Sequence, residues 1–286
     1  EPFGDSSGIP TTLVSGVAKE AGVKVVLSAD GGDEIFCGYD RYRITHEIGK
    51  KIFLLPPFLR KMAARLMAEI GADKASRFFR IRNFAHKYSQ FSEMLKTDTW
   101  QKLYEALLHN ADNAYIKKLM DCPDCFSEEI FPHRDGNPMQ GMMLRDYHSY
   151  LPDDILVKVD RATMYHSIEG REPLLDHRIA EFMAQVPFEY KYRDANGKYL
   201  LRKVLERYLP KELIYRPKMG FGIPMFEWFG GELSSMFERY FAGEDPVVNL
   251  DFARGELARL RAGSPVNVNI LWFVLVYRMW RERYTA

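Results

Sequence analysis

Three stretches of this chain combine residue types that do chemistry. Lys24 to Gly38 reads KVVLSADGGDEIFCG. A β-branched run, Val25-Val26-Leu27, stops at Ser28, and Asp30, Gly31, Gly32, Asp33 and Glu34 follow. A buried strand that ends in a glycine-rich acidic turn and reopens as a helix is one way to build a nucleotide site. Its glycines let backbone N–H groups approach a phosphate, and its carboxylates can hold Mg²⁺. The same residues also suit a strand, a tight turn and a solvated acidic helix start.

The second stretch, Leu156 to Asp176 (LVKVDRATMYHSIEGREPLLD), sets Lys158, Asp160, Arg161, Glu169, Arg171, Glu172 and Asp176 among apolar residues. Alternating charge of this kind predicts a partly buried ion-pair network, structural or functional. The third, Tyr215 to Pro224 (YRPKMGFGIP), places Arg216 and Lys218 around a proline, with Gly220 and Gly222 after it. A cationic turn can fold over a phosphate, and a lysine there can neutralise charge on a leaving pyrophosphate. A solvated basic turn has the same composition.

The elements that must position these groups are mostly helical. Spacing and stop signals predict helices over Thr11–Ala21, Pro57–Ile70, Lys74–Lys87, Trp100–Leu108, Ala114–Met120, Met139–Tyr150, Asp153–His166, Lys198–Tyr208 and Val268–Arg283. Val23–Ser28 is the one clear strand, and it wants parallel neighbours that the pattern does not reveal. Asp121–Pro138 is rich in Pro, Asp and Glu and reads as a loop.

Composition bounds the function classes. The chain has 286 residues, 47% hydrophobic and 28% charged, with net charge +1. That is globular composition and argues against a general nucleic-acid or membrane-surface binder. Three cysteines point to a reducing compartment rather than a disulfide framework. The stretch Ile270–Tyr277 is too short to span a bilayer. Gly31–Ile35 (GGDEI) is close to a cyclase signature, but that signature lies on a hairpin, and here a helix follows. The Cys122-x-x-Cys125 pair lacks the further ligands of a zinc site, and His133-Arg-Asp lacks the other segments of a kinase.

Together the segments resemble the synthetase domain of the asparagine synthase family, glutamine-dependent amidotransferases of the ATP-pyrophosphatase fold. The likeness runs from EPFGDSSGIPT at the start, through LSADGGDEIFCGYDRY, VDRATMYHSIEGREPLLD and RPKMGFGIP, to WFVLVYRMWRERY near the end. It implies an α/β parallel-sheet fold in the full domain, of which this segment is mostly α with one or few parallel strands. It also implies two-step chemistry with ATP and Mg²⁺: a carboxylate (aspartate, in asparagine synthases) attacks the α-phosphorus, and glutamine-derived ammonia then displaces AMP.

By position, Ser28, Ala29, Gly31 and Gly32 match the nucleotide-contacting turn, and Asp33 matches a Mg²⁺ ligand. Asp30 and Lys218 match catalytic positions, and Asp160, Glu169 and Arg171 match the acyl pocket. Asp30 is one methylene shorter than the Glu of the best-known asparagine synthases. The family's phosphate loop, Ser-Gly-Gly-x-Asp-Ser, does not occur here, nor does a leading glutaminase domain. Residues 1–286 are therefore expected to be the C-terminal portion of a cytoplasmic enzyme, inactive by itself. Amidation of a sugar uronate or a β-lactam precursor, and a non-catalytic binding module, are the alternatives.

Overall fold

The computed structural model describes residues 1–76, 84–120, 136–216, 220, 222–231 and 233–285. The elements begin with α1 (Gly8–Glu20), β1 (Val25–Leu27), α2 (Gly32–Ile35), α3 (Asp40–Ile52), α4 (Pro57–Ala75), α5 (Phe84–Lys96), α6 (Trp100–Leu108) and α7 (Asn113–Leu119). Then come α8 (Pro138–His148), α9 (Val157–Tyr165), β2 (Glu169–Arg171), α10 (His177–Gln185), β3 (Tyr192–Arg193), β4 (Asn196–Gly197), α11 (Tyr199–Leu205) and α12 (Lys211–Ile214). The last four are α13 (Met225–Gly230), α14 (Ser234–Tyr240), α15 (Leu250–Arg261) and α16 (Val268–Tyr284). Mostly helical structure with a small parallel sheet matches the composition of elements expected from sequence.

The chain divides into two compact units. One comprises Glu1–Gly4, Gly49–Glu129 and Pro224–Ala286. Its stop signals are local. Thr99 caps α6 through the Lys102 N–H, Asp112 caps α7 through Tyr115, and Asn249 caps α15 through Phe252. Gly71, with φ 73°, interrupts α4 where the pattern predicts a stop. An aromatic stack of Phe229, Phe237 and Phe241 fills the core, with neighbouring centroids 4.4 and 5.2 Å apart. The final helix buries Val268, Ile270, Leu271, Trp272, Val274 and Leu275. The Trp272 indole donates to the Gly4 carbonyl at 2.9 Å and so ties down the start of the chain.

The other unit comprises Asp5–Ile48 and Ile130–Ile223. Here β1 pairs with β2 in parallel, Val25 opposite Glu169, Val26 opposite Gly170 and Leu27 opposite Arg171. The neighbour that β1 required is thus Glu-Gly-Arg, a tripeptide with no strand signature. Pairing chooses it because α9 packs along α1 and delivers its following residues beside β1. The expectation of a buried strand is corrected: Val25 and Leu27 are 43% and 72% exposed. Among the described residues β1 has one partner strand, so its outward apolar side chains stay on open surface.

Two helix expectations also change. The segment expected as Asp153–His166 is a π-helical turn, Leu151–Leu156, running into α9, with Pro152 in its first turn where no N–H is needed. Instead of one helix over Lys74–Lys87, α4 ends at Ala75 and α5 starts at Phe84, and residues 77–83 lie outside the described residues. Cys122, Cys125 and His133 lie outside them as well.

The start of α3 is anchored electrostatically. Asp146 is fully buried on α8, where it accepts from the Arg41 guanidinium at 2.6 Å and from the Tyr42 hydroxyl at 2.8 Å. The Arg41 guanidinium lies between the Tyr39 and Tyr150 rings, 4.1 and 4.3 Å from their centroids. Removing one partner of such a pair strands the other in low dielectric. Asp146→Ala should therefore lower unfolding free energy by roughly 3 kcal/mol in urea denaturation. A loss below about 1 kcal/mol would show that Arg41 is solvated well enough without it.

Candidate active site

The site forms at the carboxyl ends of β1 and β2, the place where parallel α/β folds put their ligands. The Ser28 N–H donates to the Arg171 carbonyl at 3.0 Å and continues the ladder. The Ser28 hydroxyl then donates to Asp30 Oδ2 at 2.6 Å and fixes that carboxylate just beyond the strand. The turn closes when the Gly32 N–H donates to the Ala29 carbonyl at 3.1 Å.

The glycines have a reason in the fold itself. Gly31 caps α2 in the left-handed region, at φ 82°, and a Cβ there would lie 2.1 Å from Leu175. A Cβ at Gly32 would lie 2.8 Å from Leu174. Both leucines belong to the 3₁₀ turn Pro173–Leu175 after β2, and with Ile35, Phe36 and Met183 they build the local core. The chain needs small residues here so that this turn can close on the loop. Gly32 spends its N–H inside the turn rather than presenting it to a ligand.

Asp33 projects from α2 toward a cation that sequence reasoning did not assign. Its Oδ1 lies 3.1 Å from Lys198 Nζ. Lys198 follows the β3–β4 hairpin, and its N–H donates to the Phe36 carbonyl at 2.8 Å, pinning the hairpin to the end of α2. Gly38 makes room for the pair, since a Cβ there would sit 2.1 Å from Asp33 Oδ1 and 2.2 Å from Lys198 Cε. The signal was present as Asn196-Gly197-Lys198, a hairpin turn followed by a cation, but nothing local shows what that hairpin meets.

The charged second stretch is partly redistributed. Glu169 and Arg171 pair with each other at 2.7 Å and are mostly exposed. Asp160 is exposed on α9. Glu172 is the group drawn inward: burial, then the charge of Asp30 and more weakly that of Asp160, push its carboxyl above the ordinary range. Asp30, Asp160 and Glu172 therefore converge across the strand ends. Lys158 leaves this stretch altogether and donates to Asp5 Oδ2 and Ser7 Oγ, both at 2.9 Å. The expected network is thus split between an exposed pair and a cluster built with the start of the chain. Lys218 lies outside the described residues; Arg216, Gly220 and Gly222 beside it are exposed.

Among the described residues no group of three or more His, Cys, Asp or Glu side chains could hold a metal. Asp33 alone offers one carboxylate. That suits a Mg²⁺ ion that arrives on nucleotide phosphates, since Mg²⁺ is commonly held by one or two carboxylates plus phosphate oxygens.

Asp5 and Asp154 form a second electrostatic feature. Burial opposes ionisation of Asp5, but bonds from Ser7 and Lys158 hold its carboxyl below the usual range. Burial, then the Asp5 charge, push Asp154 up to about 6, against the pull of Lys158. For Asp154 the folded value exceeds the unfolded 3.8, so its stabilising contribution is full below 3.8 and is lost as pH rises through about 6. Asp5 acts in the opposite sense and in a lower window, losing stability as pH falls below 3.8. Asp154→Asn should flatten the fall in Tm between those two Asp154 values and leave the variant relatively more stable in neutral buffer. An unchanged Tm–pH profile would contradict the assignment.

Parallel strands with a glycine-bounded acidic turn at their carboxyl ends make up the candidate site. The comparisons give it a lineage. The chain belongs to the asparagine synthase family, whose model matches residues 1–282. It is 28% identical over 284 residues to asparagine synthetase [glutamine-hydrolyzing] 1 of Bacillus subtilis, covering 99% of this chain and 44% of that protein. It is 32% identical over 124 residues to asparagine synthetase [glutamine-hydrolyzing] of Gallus gallus, covering 37% of this chain and 21% of that one. It is also 24% identical over 280 residues to amidase chyE of Penicillium rubens, covering 88% and 39%. The chain thus spans less than half the length of these relatives. No solved structure matches it significantly. No helix among the described residues is long and apolar enough to cross a membrane.

Proposed function

We propose that this chain is the C-terminal portion of the synthetase domain of an ATP-dependent amidotransferase, which adenylates a carboxylate and amidates it with glutamine-derived ammonia. Aspartate is the proposed acceptor and asparagine the product. Family membership supports the ligase class. The observation that carries the reading is the Asp33–Lys198 pair beside Asp30, at the carboxyl end of β1.

The physical problem of the first step is repulsion between an anionic nucleophile and a polyanion. Asp33 would hold Mg²⁺, which when bound supplies charge neutralisation on the phosphates. Lys198 keeps Asp33 oriented and charge-balanced before the nucleotide enters, and its ammonium is then free to meet phosphate oxygens. Lys218 is proposed to close on the same phosphates. Ser28 holds Asp30 in place through its hydroxyl. In the second step, attack by ammonia leaves a proton on nitrogen that must be removed. Asp30 is the proposed acceptor, held beyond the strand end by Ser28. Ala29, Gly31 and Gly32 shape the turn against which the nucleotide lies, while Glu169 and Arg171 border the acyl pocket.

Amidase chyE, among the relatives, favours a second acceptor as the alternative: the same residues would adenylate a different carboxylate. The decisive assay uses the longer protein that contains this chain. Aspartate-dependent release of AMP and pyrophosphate should match asparagine formed, by mass spectrometry. Asp33→Asn should lower that release at least about a hundredfold, and Lys198→Met about tenfold or more, each loss being one of charge neutralisation. Nucleotide turnover without any dependence on aspartate would rule out that acceptor. No turnover with any carboxylate would rule out the ligase reading.

A further inference from the structure

Asp33 turns toward Lys198, but its neighbour Glu34 enters a different environment. It lines a cavity of about 450 Å³ framed by α2, α8 and α10, within the size range of small-molecule sites. The walls are largely apolar and include Leu144, Tyr147, Met183 and Ala184. Leu144 is 47% exposed at the edge. Methionine and alanine walls of this kind accommodate an apolar chain without a fixed shape.

The cavity also holds a charge without a counterion. Lys191 lines it and is 6% exposed. Among the described residues no hydrogen bond or ion pair reaches its ammonium, and the titratable group acting on it is the buried Cys37 thiol, itself pushed up to about 12 by burial and therefore uncharged. Burial pushes the ammonium below its ordinary value. A buried cation in that position gains most from a partner that brings its own negative charge. Glu34 does not serve. Its carboxylate is instead engaged by the Tyr39 hydroxyl, from which it accepts at 2.8 Å.

We propose that this cavity is a binding site for a small apolar monocarboxylate, its carboxylate on Lys191 and its apolar chain along the Tyr147, Met183 and Ala184 walls. One ammonium and a mostly apolar wall, with Gln140 and the exposed His148 and Glu181 also lining the cavity, match one negative charge on a hydrocarbon body; acids in the lining disfavour a polyphosphate. The site adjoins α2, the helix that carries Asp33, yet the inference does not depend on what Asp33 does.

Octanoate and octan-1-ol, equal in chain length and different in charge, test it on the unmodified protein by calorimetry or ligand-observed NMR. Octanoate should bind saturably with one-to-one stoichiometry, and the alcohol about tenfold more weakly, as expected for loss of one desolvated ion pair. Lys191→Met should erase the difference between the two probes. Ala184→Trp, which fills the cavity, should abolish both, with the fold checked by circular dichroism. Absence of saturable octanoate binding at millimolar concentration would overturn the proposal. So would equal affinity for acid and alcohol, or unaltered binding in a folded Ala184→Trp variant.

Discussion

The β1–β2 ladder is the constraint on which the site depends. Three residues of each strand run parallel, and the ladder extends at both ends through Glu169 and Ser28, whose N–H groups reach the Lys24 and Arg171 carbonyls. This short pairing joins segments some 140 residues apart, roughly the span of a whole small domain. Without it Asp30 and Glu172 have no reason to meet. Parallel pairing also forces the two carboxyl ends to the same side, so the acidic turn after β1 and the Arg-Glu-Pro turn after β2 share one rim.

Electrostatics around that rim has a consistent design. Carboxylates perturb one another at Glu172 and at Asp154, and two other acids each meet a lysine that arrives from elsewhere. Asp33 receives Lys198 from a hairpin, and Asp5 receives Lys158 from α9. Such pairs contribute little when fully solvated and more when half-buried, as here. Lys198 also belongs to a packing arrangement: Gly38 leaves space for it, and the Phe36 carbonyl fixes its backbone. Packing therefore constrains the same residues to which the proposed function falls, since the glycines of the acidic turn serve the Leu174–Leu175 contact as well as the turn itself.

Much of the helical structure was legible because its determinants are local. Asn or Asp caps, Gly71, and apolar residues at helical spacing each act within a turn or two. The limits of Trp100–Leu108 follow directly from Thr99 and the amphipathic run after it. The misses have a different character. Glu169-Gly170-Arg171 is a strand because of its neighbour, and no propensity marks it. The π-helical winding around Pro152 reflects the packing of α8 and α9 rather than a composition signal.

The sequence by itself determined which side chains are available: a strand ending in Ser28, the acids Asp30 and Asp33, and the motifs that place the chain in the asparagine synthase family. It also determined the limits of helices such as Trp100–Leu108, because caps act on nearest neighbours, but it did not mark α3, α10, α14 or α15. Only the tertiary structure decided which charges meet. It gave Lys198 to Asp33, Lys158 to Asp5 and Glu172 to Asp30, and it left Lys191 buried without a carboxylate among the described residues. The physical reason is range. Backbone preferences are set within a few residues, whereas the partner and the desolvation of a charge depend on what distant segments bring beside it.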